Sequence, residues 1–129
     1  MKDWKKQTVQ DLKHYRLLRA SLETLPRRVE LLRDAARENP RVSRDVDALS
    51  RSMELAQQQC DAIDCGMACL TDEEQWVLQR FFIDREPGCA DLLCEELGCE
   101  QAQVYRVRER ALQKITTAMY GAWDDPQPL

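Results

Sequence analysis

Glycine and proline are scarce in this 129-residue chain, four and five residues, and aromatic side chains make up only 6% of it. A β-rich fold needs turn formers and sheet-filling aromatics, so this scarcity counts against that class. His14 is the only histidine and no glycine-rich loop is present, which leaves little material for a nucleophile–base pair, and no catalytic residue is expected. Six cysteines occur, but none forms a Cys-x-x-Cys pair; with one imidazole they read as reduced, partly buried thiols, with no metal site and no cofactor. No apolar run reaches the length of a membrane span, and Met1-Lys2-Asp3-Trp4-Lys5-Lys6 carries no apolar signal core. A cytoplasmic protein with no membrane contact is expected.

Charge is what the chain has in quantity: a third of its residues are Asp, Glu, Lys or Arg, with a net charge of −4. Long helices with solvated faces suit that composition. Residues 1–37 hold ten basic against five acidic side chains, and residues 71–129 hold six against twelve. Trp4, Leu12, Tyr15, Leu18, Leu22 and Leu25 predict a first helix over 3–25, ended by Pro26. Val29, Leu32 and Ala36 predict a second over 27–38, stopped by Asn39-Pro40. Val42, Val46, Leu49, Met53, Ala56, Cys60, Ile63, Met67 and Leu70 then alternate spacings of four and three, a heptad seam about 43 Å long if helical. That seam needs an apolar partner, either the chain's own first helices or the same helix of a second copy. Helix 27–38 is too short to cover it, so a homodimer through 42–70 is expected. Gly66 is expected to weaken the last turns of this helix.

Beyond the seam, Thr71-x-x-Glu74 reads as a capping box. Trp76, Val77, Leu78, Phe81 and Phe82 are expected to supply a small core, and Arg85-Glu86-Pro87-Gly88 a turn. Leu93 and Leu97 lie four apart on a short helix that runs into Gly98, where a tight turn needs positive φ. Cys94 is expected to be buried at the helix crossing. A longer helix follows to Gly121, with Val104, Val107, Ala111 and Ile115 as its buried stripe. Its other surface carries Gln101, Gln103, Tyr105, Arg106, Arg110 and Lys114, the hydrogen-bonding and cationic types used to read the major groove. Within residues 100–120, four basic side chains meet only Glu100 and Glu109. Tyr105 either packs on a thymine methyl or covers the neighbouring helix, and Arg106 either reaches guanine or pairs with Glu109. The bland reading of all these charges is a solvated face.

Residues 70–120 closely resemble region 4 of bacterial sigma factors, through Leu70-Thr71-Asp72-Glu73-Glu74, Glu95-Glu96-Leu97-Gly98 and Arg110-Ala111-Leu112-Gln113-Lys114-Ile115. The resemblance implies base contacts at Gln101, Ala102, Tyr105 and Arg106, and a basic promoter-facing or activator-facing position at Arg110. The whole chain is similar to small phage transcriptional regulators of the ArpU and RinA type, on Asp11-Leu12-Lys13-His14-Tyr15, Ala20-Ser21-Leu22-Glu23-Thr24-Leu25-Pro26-Arg27-Arg28, Val104-Tyr105-Arg106 and Met119-Tyr120-Gly121.

The expected fold is therefore all-α: a helical hairpin or coiled-coil arm over 1–70, a helix-turn-helix module over 71–120, and a loose tail over 121–129. The expected function is sequence-specific binding of double-stranded DNA by a transcriptional regulator. Two other classes fit the same elements. One is a phage DNA-packaging adaptor resembling a small terminase subunit; the other is a sigma-like module that binds RNA polymerase rather than DNA.

Overall fold

The computed structural model describes residues 3–121, and among them five α-helices and one π-helical segment make up nearly everything, with no strand. Helix α1 spans Trp4–Glu38. Asp3 starts it, its carboxylate accepting from the Lys6 amide at 3.1 Å. The helix runs straight through Pro26, so the two expected helices 3–25 and 27–38 are one. Proline removes one backbone donor, that to the Leu22 carbonyl, at a cost of about 3 kcal/mol. Pro26 lies on the exposed side, where water reaches that carbonyl, and strong helix formers flank it on both sides.

Asn39 separates α1 from α2, Pro40–Ala68, as expected. Its side-chain oxygen accepts from the Arg41 amide at 3.0 Å, while Pro40 fills the first helical position, where no donor is needed. The seam predicted over 42–70 begins two residues into α2. Its later members Ala56, Cys60, Ile63 and Leu70 are buried; Val42, Val46, Leu49, Met53 and Met67 are half-buried.

The chain divides into two compact units whose limits fall inside these long helices. One holds Tyr15–Asp61; the other joins the residues up to His14 to the chain from Ala62 onward. Thus the first turns of α1 and the last turns of α2 group with the C-terminal helices. The Tyr15–Asp61 unit contains only two helix stretches, and it leaves Leu17, Leu31 and Leu55 at 71%, 81% and 59% exposure.

In the other unit, α3 (Asp72–Leu78) and α4 (Cys89–Leu97) both pack on α5 (Gln101–Tyr120). Thr71 caps α3 through the expected box: its hydroxyl accepts from the Glu74 amide at 3.2 Å, and Glu74 accepts from the Thr71 amide at 2.9 Å. A π-helical segment, Gln79–Ile83, continues α3, a feature that periodicity does not reveal. Val77, Leu93, Val104 and Val107 form a closed cluster, ringed by Phe81, Cys94, Leu97 and Cys99. The predicted stripe of α5 is buried throughout and is wider than expected, since Leu112 and Thr116 are buried with it. Trp76 departs from its expected core role. It is 41% exposed, its indole N–H donates to Glu96, and the Arg80 guanidinium lies 4.6 Å from its ring centroid.

Gly66 serves packing. A Cβ there would lie 2.7 Å from Cγ1 of Ile115, so the glycine makes room for α5 against the end of α2. The start of α1 is tied to α5 as well, by Trp4 stacked on Tyr120 at 4.7 Å, by the Tyr120 hydroxyl donating to Asp11, and by Lys5 paired with Glu109. The expected loose tail falls, after Gly121, on residues 122–129, outside the described residues.

Candidate nucleic-acid interface

Gly98 ends α4 with φ 65° and ψ 38°, the left-handed conformation that its position between two helices demands. Its amide donates to the Cys94 carbonyl, and so does the Cys99 amide at 3.2 Å. This six-to-one bond places Cys94 and Cys99 as the apolar pair that usually accompanies such a helix end. Both side chains lie against the Val77–Leu93–Val104–Val107 cluster. Cys94 is half-buried rather than buried, because it flanks that cluster instead of entering it. Desolvation, followed by the nearby Cys99, Asp91 and Glu95, pushes its thiol pKa up.

Helix α5 begins three residues after Gly98. Glu100 precedes it in extended conformation, and its side chain makes no capping bond. Gln101, Ala102, Tyr105 and Arg106 are exposed on the first turns, while Gln103 is half-buried. Gln101 reaches toward Asp91 at 3.5 Å. Tyr105 covers its neighbours: its ring centroid lies 5.8 Å from that of Phe81, and the Arg108 guanidinium lies 4.7 Å from it. Its remaining exposed edge is what a groove would meet.

The Arg106 Nε donates to the Ala102 carbonyl at 3.4 Å, a bond within its own helix. No ion pair holds it among the described residues. Glu109 is instead bonded to Lys5 and, at 3.1 Å, to Arg108. Burial raises the Glu109 pKa, but those two cations outweigh it and hold the carboxyl below its usual range.

Farther along α5, Arg110 and Lys114 converge on Glu74, each at 2.9 Å from a different carboxylate oxygen. Glu74 is fully buried. Burial alone would raise its pKa, yet the Thr71 amide and the two cations bring it down to about 2. Of the α5 cations, only Arg106 is free of an ion pair among the described residues. Exposed Glu95, Glu96 and Glu100 border the start of the helix.

The candidate face is therefore contiguous but narrow. Gln101, Ala102, Tyr105 and Arg106 share it, Gln103 lies at its side, and Arg110 is committed to α3. Sequence reasoning missed Glu74 as the partner of Arg110, since nothing in the spacing of residues 36 apart signals it. The chain matches no protein-family model, no curated protein and no solved structure.

Proposed function

We propose that this chain is a sequence-specific DNA-binding transcriptional regulator in which α4, Gly98 and α5 act as a helix-turn-helix and α5 enters the major groove. The observation that carries the reading is Arg106, exposed and, among the described residues, without an ion pair on the first turns of α5, beside Gln101 and Ala102. A free guanidinium can grip the two acceptors of guanine, and a glutamine amide can do the same for adenine. The resemblance to sigma region 4, and to phage regulators of the ArpU and RinA type, points the same way. On this reading Tyr15–Asp61 belongs to a helical hairpin arm, and the half-buried seam of α2 with exposed Leu17, Leu31 and Leu55 meets a second copy.

The test is Arg106→Ala on a mapped operator. Binding to that sequence should weaken by about 1–3 kcal/mol, with discrimination relaxed at one base pair. The melting temperature should stay at the wild-type value, because Ala suits an exposed helix position. Equal binding by both proteins would remove α5 as the reading element.

One observation favours a second reading. Arg108, Arg110 and Lys114 are all paired with carboxylates, and the start of α5 is bordered by glutamates. Such a surface suits a basic protein better than phosphate, so a sigma-like module docking on RNA polymerase is the alternative. Co-purification of polymerase, with no retardation of any DNA at low salt, would favour it.

A further inference from the structure

A cleft of about 350 Å³ opens beside the π-helical segment, at the turn that leads into α4. Phe81, Phe82 and Pro87 supply its apolar wall, and Gly88 and Cys89 its rim. Three cations line it: Lys13 from α1, Arg85 from the turn, and Arg108 from α5. In a chain of net charge −4, three cations from separate elements in one cleft call for an anionic occupant.

The partners of these cations narrow the occupant further. Lys13 and Arg85 are exposed, and among the described residues neither has an ion pair or a side-chain hydrogen bond. The Arg108 guanidinium lies beside two rings, 5.1 Å from the Phe81 centroid and 4.7 Å from that of Tyr105. One of its amino groups pairs with Glu109, but its Nε is buried with no hydrogen-bond partner. A buried donor left unmade costs stability, and an acceptor supplied from outside would recover it. Glu86 also lines the cleft, but it lies 3.7 Å from Arg80, which balances it. With that pair set aside, the lining is cationic, and Glu109 offsets part of Arg108.

We infer that this cleft binds a phosphate group, with Lys13 and Arg85 as mobile clamps and Arg108 as a fixed donor. Arginine and lysine surrounding a compact oxyanion supply charge-assisted hydrogen bonds that a neutral ligand would not return. The apolar wall of Phe81 and Phe82 leaves room for a ring or chain esterified to that phosphate. The inference does not depend on α5 reading DNA.

Full-length labelled protein titrated with inorganic phosphate, adenosine monophosphate and adenosine, followed by NMR, tests it. Phosphate and the monophosphate should produce saturable shifts at Arg108 Nε–H, Gly88 and Cys89, and adenosine none. Lys13→Ala and Arg85→Ala should each weaken the affinity about tenfold, the scale of one lost charge-assisted bond. Both residues are exposed, so both variants should keep the wild-type melting temperature. Shifts that fail to saturate, or that persist undiminished in the double variant, would overturn the assignment. A duplex DNA arm identifies the source: displacement of phosphate by duplex makes the group a backbone phosphodiester, and simultaneous binding makes it a free phosphate monoester. Either result supports the site, and neither depends on Arg106.

Discussion

Glu74 and Arg110 are 36 positions apart in sequence and 2.9 Å apart in space, and the carboxylate of the pair is wholly buried. The same side chain closes the capping box of α3, so one carboxylate both starts a helix and anchors the next-but-one to it. Glu74→Gln keeps the capping geometry and removes the charge. It should cost about 1–3 kcal/mol at neutral pH, and Arg110→Ala a similar amount, because each leaves a charged partner less satisfied. Chemical denaturation of the three proteins checks this. An unchanged Arg110→Ala midpoint would mean that the pair contributes nothing.

Acid should remove the same contribution. The folded pKa of Glu74 is about 2, against an ordinary value of 4.5. Its charged form therefore stabilises the fold fully above about pH 4.5 and progressively less as pH falls toward 2, by on the order of 3 kcal/mol in all. The stability gap between wild type and Glu74→Gln should close over that interval, and melts at successive pH values will show it. A gap that stays constant down to pH 2 contradicts the assignment.

Gly66→Ala should destabilise the chain although alanine is the better helix former. The gain in propensity is about 1 kcal/mol, while overpacking a tight contact costs typically 1–3 kcal/mol. Cγ1 of Ile115 belongs to a β-branched side chain that cannot swing aside easily. The double variant with Ile115→Ala should be less damaged than the sum of the single ones, as a double-mutant cycle would reveal. Strict additivity would place the clash elsewhere.

The thiols should react in an order set by exposure. Cys65 and Cys69 are exposed, Cys94 is half-buried with a raised pKa, and Cys60 is buried. Alkylation of the native protein at neutral pH should reach Cys65 and Cys69 well before Cys94, and Cys60 last, with mass mapping of peptides as the readout. Early modification of Cys94 would mean that the α4 end opens readily.

Assembly is the fifth measurable consequence. Leu31 is 81% exposed on a two-helix unit with little interior of its own. Sedimentation equilibrium should find a homodimer at micromolar concentration, and Leu31→Glu together with Leu55→Glu should shift it to monomer. A wild-type monomer would show that these leucines are simply solvated.

What the sequence discloses is local. The Thr71 box, the left-handed Gly98, the Asn39-Pro40 stop and the α5 stripe each depend on residues within about three helical turns of one another. Pro26 misleads because a rule about lost hydrogen bonds ignores how strongly both flanks favour helix. The π-helical segment is silent because its residues are ordinary and only the bonding pattern changes. Trp76 misleads because a large apolar ring also has a polar edge, here turned to Glu96. Arg110 and Arg106 are alike on a helical wheel, and only a partner from α3 separates them.

The first turns of α1 have a temporal consequence. Lys5 meets Glu109, and Asp11 meets Tyr120, across nearly the whole chain. Leu12 is fully buried, and its unit joins the residues up to His14 to the chain from Ala62 onward. Closing so long a loop slows folding, and Lys5 is synthesised 104 residues before its partner in α5. A nascent chain therefore carries the apolar side of the first turns of α1 uncovered until α5 has emerged, which makes those turns a natural target for a chaperone.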